Sequence, residues 1–303
     1  MMKKTKSIIL GAAVLIIGGT VVSCKKNDNG GNNIIPPTPL GGYISSDSVA
    51  SANLIAYWPF DGDANDKKGN QTGTAVGVTY NAGVRGQAYQ GSVNGYATVP
   101  AAPAFASLTS YSLSMWYKLP AQPLGGSPNG AFFLSGTTNQ NLLLCEFENF
   151  DPVSGDSVRI HAGFNNLAST GYQGFFMEAF DTMAINKWVH LVSEYDGTTS
   201  TYTIYQNGVA VGNQSAFSMG LYTTPSHLYN GPVPSPDLGP LGFPGDAPTQ
   251  VVLGTWPAGL FGVSPTLGSN GCFVGQMDEI RVFNKALTAS EVNGLYLNGQ
   301  AGR

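Results

Sequence analysis

The dipeptide Asn207-Gly208 lies between Thr201-Tyr202-Thr203-Ile204-Tyr205-Gln206 and Val209-Ala210-Val211, and it restricts the fold of this chain more than any other feature. Two residues that tolerate positive φ, flanked by β-branched and aromatic runs, specify a type I′ hairpin. The strand signal recurs elsewhere. In Tyr111-Ser112-Leu113-Ser114-Met115-Trp116-Tyr117, residues Tyr111, Leu113, Met115 and Tyr117 share one face at period two. Trp188-Val189-His190-Leu191-Val192-Ser193-Glu194-Tyr195 reads as another strand. One helix is well signalled, as the last element. Thr288 and Glu291 form a capping box, Val292, Leu295 and Tyr296 give an apolar stripe, and Asn298-Gly299 ends it. The chain shows no repeat at solenoid or propeller spacing.

Composition supports an all-β reading. Charged residues make up 11% of the chain, against roughly 25% in an average soluble protein. With 40 Gly and 19 Pro, the chain suits an exported β protein with long loops. A long helical protein would need more Lys, Glu and Arg.

Residues 1–23 read as an export signal. Lys3, Lys4 and Lys6 form the charged region, and an apolar core follows. Val21-Val22-Ser23-Cys24 resembles the lipobox of bacterial lipoproteins, which implies that Cys24 is acylated and becomes the new N-terminus. Lys25 and Lys26 follow, with no Asp at the next position. By resemblance to bacterial sorting signals this implies an outer-membrane lipoprotein of the cell envelope, anchored through lipid, with its face open. Residues 24–51 then form a Pro/Gly/Asn-rich tether. Losing the signal removes three lysines and no acids, moving the net charge from −4 to −7. That balance argues against a nucleic-acid partner and gives weak support to cation binding.

Two segments carry a family resemblance. The first is Leu54-Ile55-Ala56-Tyr57-Trp58-Pro59-Phe60-Asp61-Gly62-Asp63-Ala64-Asn65-Asp66. The second runs from Phe273-Val274-Gly275-Gln276-Met277-Asp278-Glu279-Ile280-Arg281-Val282-Phe283 to Thr288-Ala289-Ser290-Glu291-Val292. They resemble the opening and closing segments of laminin-G-like domains of the concanavalin A-like lectin/glucanase superfamily. The Trp116 strand, Trp188-Val189-His190 and Tyr205-Gln206-Asn207-Gly208 fall between them in family order. The resemblance implies a two-sheet antiparallel jelly roll with a short C-terminal helix, over residues 52–303. An insertion at about 218–249 departs from the family pattern.

Several residue sets bear on chemistry. Asp61, Asp63, Asn65 and Asp66 supply hard oxygens, and in the family this loop lies near Asp278-Glu279. Met277 and Ile280 are both apolar but three apart, so the last strand is expected to bulge there. Asp61, Asp63, Asp66 and Asp278 are therefore candidate ligands of a structural Ca2+ joining the two ends of the domain. Equally open is the reading that they bond turn amides. Glu146-x-Glu148-x-x-Asp151 has the spacing of the catalytic run in glucanases of this superfamily, but in another order. Solvated carboxylates on an outer strand are the favoured reading.

Trp256 lies beside the insertion, which offers Tyr222, His227, Tyr229, Asp237, Phe243 and Asp246. An aromatic face with nearby hydrogen-bonding groups is what sugar recognition uses, so these seven are the candidate ligand-binding residues. The alternative is that Trp256 and Phe261 pin the loop to the sandwich. Trp58, Trp116 and Trp188 read as packing residues, and His190 as a packed, hydrogen-bonded histidine. Cys145 and Cys272 read as separate buried thiols. No zinc spacing, phosphate loop or hydrolase elbow is present.

The sequence is read as a non-enzymatic envelope domain that binds a glycan. The alternatives are a protein-interaction or structural module of the envelope and, further off, a glycoside hydrolase using Glu146 and Glu148.

Overall fold

The computed structural model describes residues 37–120, 129–149, 157–168, 171–180, 185–211, 225–231, 234–257 and 272–303. Cys24 and the export signal lie outside them. The described strands, in chain order, are β1 Leu54–Trp58, β2 Thr74–Val76, β3 Thr79–Ala82, β4 Gln87–Gln90, β5 Tyr96–Pro100, β6 Tyr111–Lys118, β7 Asn129–Ser135 and β8 Leu143–Asn149. They continue as β9 Ser157–Asn166, β10 Gly171–Phe180, β11 Val189–Asp196, β12 Thr201–Gln206, β13 Val209–Ala210, β14 Ser226–His227, β15 Gln250–Leu253 and β16 Gln276–Phe283. Helix α1 spans Ala289–Gln300.

Two antiparallel sheets form a sandwich. One has the order β13-β12-β11-β6-β16-β4-β3, with β1 also on β16 and β14 on β12. The other runs β10-β9-β8-β7-β15-β5-β2. Their inner faces interdigitate through large rings. Trp58 meets Phe132 edge-on at 5.9 Å between centroids, and Tyr117 meets Phe147 at 4.5 Å. Phe164 packs against both Tyr111 and Tyr195. Cys145 and Cys272 are free and buried.

The Asn207-Gly208 hairpin forms as expected, with φ of 51° and 81° and the pairs Tyr205↔Ala210 and Gln206↔Val209. The expected bulge is also present, since the β16–β6 register shifts between Asp278 and Arg281. Glu279 occupies it with φ of 53°.

In β6 the alternation identifies the inner face: Tyr111, Leu113, Met115 and Tyr117 all enter the core. The other face, Ser112, Ser114 and Trp116, is buried too. Helix α1 and its lead-in cover it. Ser112 Oγ donates to Lys285 O at 2.9 Å, and Leu287 N donates to Ser112 Oγ at 3.0 Å. Thr288 caps α1 by accepting from Glu291 N at 3.2 Å, while Thr288 N donates to Glu291 Oε2 at 2.7 Å. The helix ends one residue past Asn298-Gly299, at Gln300, and a Cβ at Gly299 would lie 2.6 Å from Trp116 Nε1. This glycine allows the last turn to pack closely on Trp116.

One boundary differs from the sequence reading. The compact unit begins at Pro37, so residues 37–51 belong to the folded domain and not to the tether. Val49 packs with Val292 and Leu295, and Asn298 Nδ2 donates to Leu40 O at 2.9 Å. The described part of the 218–249 insertion is pinned down as well. Leu228, Leu238, Leu241 and Phe243 enter the main core, and Tyr195 Oη donates to Gly239 O at 2.6 Å.

Candidate functional site

A pocket of about 350 Å3 opens where the β3–β4 turn, the residues flanking β11 and β12, and α1 meet. Its lining is Gly83, Val84, Trp116, Trp188, Asn207, Tyr296 and Gln300. The rings come from three distant parts of the chain. Tyr296 stacks on Trp116 at 5.8 Å and 20°, and His190 packs against Trp116 at 5.1 Å. Half-buried Trp188 carries the Lys118 ammonium 5.0 Å from its centroid. Asn207 Oδ1 accepts from His190 N at 3.0 Å, which commits the carbonyl and leaves its NH2 for a ligand. Gln300 Nε2 donates to Tyr296 Oη at 3.3 Å, leaving its carbonyl.

His190 behind Trp116 is neutral. Burial pulls its pKa down to about 3, with the Arg281 charge adding to the shift, and its Nε2 shares a 2.9 Å hydrogen bond with Ser114 Oγ. None of the seven lining residues is an acid or a base. The walls are therefore aromatic faces, amides and backbone, which suit a neutral ligand bearing C–H groups and hydroxyls.

The β3–β4 turn forms one lip and is held by acids. Asp278 Oδ2 accepts from Val84 N at 2.7 Å and Arg85 N at 3.1 Å, and its Oδ1 accepts from Glu279 N at 2.8 Å. Asp61 Oδ1 accepts from Gln87 N at 2.7 Å. Burial pushes the Asp278 carboxyl up to about 8, with the Glu279 charge adding to it, while the three N–H donors pull it back. Beside the turn, Arg85 makes a bidentate pair with Asp47 at 2.9 and 2.7 Å. Arg281 Nη2 reaches Glu279 at 2.7 Å and Asp47 at 2.8 Å.

These contacts bear on the expected calcium ligands. Asp61 and Asp278 grip the same turn, but through its amides. Asp66 Oδ1 accepts from Tyr57, Lys68 and Gly69 amides at 2.8–3.0 Å. Asp63 accepts from Asn65 N and pairs with Lys67 at 2.6 Å. Among the described residues no three Asp, Glu, His or Cys side chains gather to hold a metal. Most of the oxygens in this set serve turn amides and a lysine, while Asp66 Oδ2 is buried without a hydrogen-bond partner.

The candidate ligand residues around Trp256 are divided by the structure. Trp256 is half-buried and packs on Phe133 at 4.9 Å, with Leu144 and Val252 beneath, on the outer face of the second sheet. Phe243 is a core residue and so is corrected from binding to packing. Asp246 is likewise spent. It accepts from Thr137, Thr138 and Asn139 amides at 2.6–3.1 Å. Burial would raise its pKa, but these donors and the Thr137 hydroxyl hold it down to about 2. His227, Tyr229 and Asp237 do come together, next to β14: His227 Nε2 lies 2.8 Å from Asp237 Oδ1, and its ring lies edge-on to Tyr229 at 4.7 Å. Tyr222 lies outside the described residues.

Glu146 is buried and meets His161 Nδ1 at 2.5 Å. Glu148 follows in β8, in register with Arg159, and Asp151 lies outside the described residues.

The architecture is that of an antiparallel two-sheet β-sandwich domain. Residues 90–233 match the family model of the concanavalin A-like lectin/glucanases superfamily, and the domain is a concanavalin A-like jelly roll. Among solved structures, domain 4 of AbnA, an extracellular arabinanase from Geobacillus stearothermophilus, in complex with arabinotriose, is 20% identical, with TM-score 0.49, over 80% of this chain and 98% of that one. The binding domain of Paraclostridial Mosquitocidal Protein 1 is 13% identical, with TM-score 0.52, over 81% of this chain and 52% of that one. The botulinum neurotoxin serotype G binding domain is 14% identical, with TM-score 0.52, over 80% and 50%. The match spans about half the length of these two toxin domains, and the likeness is one of fold. No curated protein matches the chain.

Proposed function

We propose that this is a non-catalytic carbohydrate-recognition domain of an envelope lipoprotein, anchored through acylated Cys24, that takes a neutral glycan into the aromatic pocket. The observation that carries the reading is the lining itself: the Trp188 and Tyr296 rings, backed by buried Trp116, beside two amides, with no charged side chain. Sugar rings stack their C–H faces on aromatics and bond amides through hydroxyls. Glycoside hydrolysis uses two carboxylates about 5–10 Å apart across the bond to be cut, and the lining supplies none. The pocket holds a sugar without equipment to cut it. The lipid anchor rests on the lipobox resemblance alone.

The test is a glycan array probed with the purified protein, in calcium and in chelator, alongside Trp188→Ala. The expected result is a neutral-glycan signal lost in the variant and unchanged by chelator. A folded protein that ignores the whole array would point instead to a protein partner in the envelope.

A further inference from the structure

We propose that Asp278 is the positioning residue of the aromatic pocket, its buried carboxyl group setting the Gly83 and Val84 lip and so fixing the wall that a ligand meets beside Trp188. The inference rests on the glycan reading for its ligand, though not for its geometry.

The argument starts in β16. A regular strand would not turn Asp278 toward the β3–β4 turn and Glu279 toward Tyr57 in succession. The bulge does so, by placing a non-glycine residue, Glu279, at φ of 53°. Left-handed backbone at such a residue is strained, and strain of this kind collects at binding sites. The bulge delivers a fully buried carboxyl group to two turn amides, and the first of them belongs to Val84, which lines the pocket. The contact is closely fitted from the other side, since a Cβ on Gly83 would clash with Asp278 Oδ2. Asp61 closes the far end of the turn at Gln87, and Asp47 holds the Arg85 side chain. The lip is therefore preorganised by acids from both ends of the domain, and a bound sugar need not order it.

The test compares the full-length protein with Asp278→Ala and Gly83→Ala, which attack one contact from opposite sides. Three readouts are needed: hydrogen exchange at the Val84 and Arg85 amides, the Trp188 indole N–H resonance, and affinity for maltotriose, cellotriose and xylotriose. Exchange at those two amides is expected to rise about tenfold with core amides such as Leu113 unchanged, and affinity to fall about tenfold. The indole resonance should shift in both variants. Faster exchange with an unmoved indole and unchanged affinity would reduce Asp278 to a fastener of the turn and overturn the proposal. If the wild-type protein binds none of the three sugars, the glycan reading fails separately. The indole then decides: a shift supports the positioning role, and no shift overturns it. Should Asp278→Ala not fold, the same readouts on Gly83→Ala decide between the two outcomes.

Discussion

The Tyr57 hydroxyl donates to Glu279 Oε1 at 2.5 Å, tying the first strand of the sandwich to the bulge in its last. The same ring lies under the Arg281 guanidinium at 4.3 Å. Arg281 and Glu279 are 3% and 1% exposed, so each is the other's main compensation for leaving water.

Glu279→Gln should therefore be among the most damaging single substitutions. It leaves Arg281 buried with only exposed Asp47 as an ionic partner, at a cost of about 3–5 kcal/mol. Tyr57→Phe removes one hydrogen bond to a charged group and should cost about 1.5–3 kcal/mol. Urea unfolding ranks the two, and the reverse order would mean that the ion pair contributes little.

Stability should fall as pH rises from about 4.5 to 8. Burial pushes Glu194 from 4.5 up to about 7, against donors on Ser112, Leu287 and Tyr205, and Asp278 moves the same way. Between those pH values the folded chain keeps protons that the unfolded chain has released. The contribution is complete below the unfolded pKa and is lost as pH rises through the folded one. Melting temperature measured against pH should show the decline, and Glu194→Gln should flatten it near pH 7. An equal slope in the variant would remove Glu194 as the source.

Gly299→Ala separates packing from propensity. Helix propensity alone favours alanine by about 1 kcal/mol. Here the added carbon would press on Trp116, and overpacking of this kind costs about 1–3 kcal/mol. A lower melting temperature is expected, and a higher one would show that α1 can shift away from Trp116.

Thr288→Ala should cost about 1 kcal/mol by removing the α1 cap. Chelation should leave the melting temperature unchanged, since Asp61, Asp66 and Asp278 each accept from turn amides. A fall on adding EDTA would restore calcium to the account.

Local chemistry made much of the fold legible. Asn207-Gly208, the Thr288–Glu291 box and the three-residue spacing of Met277 and Ile280 each act over a few residues, and each formed as read. The pocket was hidden for the opposite reason. Trp116, Trp188 and Tyr296 are far apart in sequence, and each alone reads as packing. Ser112 and Ser114 look like a solvated face because nothing nearby in sequence announces the helix that covers them. Trp256 drew attention for its polar neighbours, yet Phe243 and Asp246 are committed to the core and to a turn. The acidic loop was read for its oxygens, although the amides that use them belong partly to a distant hairpin.

Helix α1 has a small apolar cluster of its own. Val49, Val192, Phe283, Leu287, Val292 and Leu295 pack apart from the sandwich core. Beneath the rest of the helix lies the buried Trp116 ring, against Tyr296 and Gly299, with Ser114 and His190 behind it. This cluster is much smaller than the one between the sheets, so hydrogen exchange at the α1 amides is expected to be faster than at Leu113. Tyr296 and Gln300 ride on the helix. The pocket therefore exists only while the helix is docked, and ligand occupancy and helix docking are one coupled equilibrium: whatever fills the pocket slows the fraying of the helix.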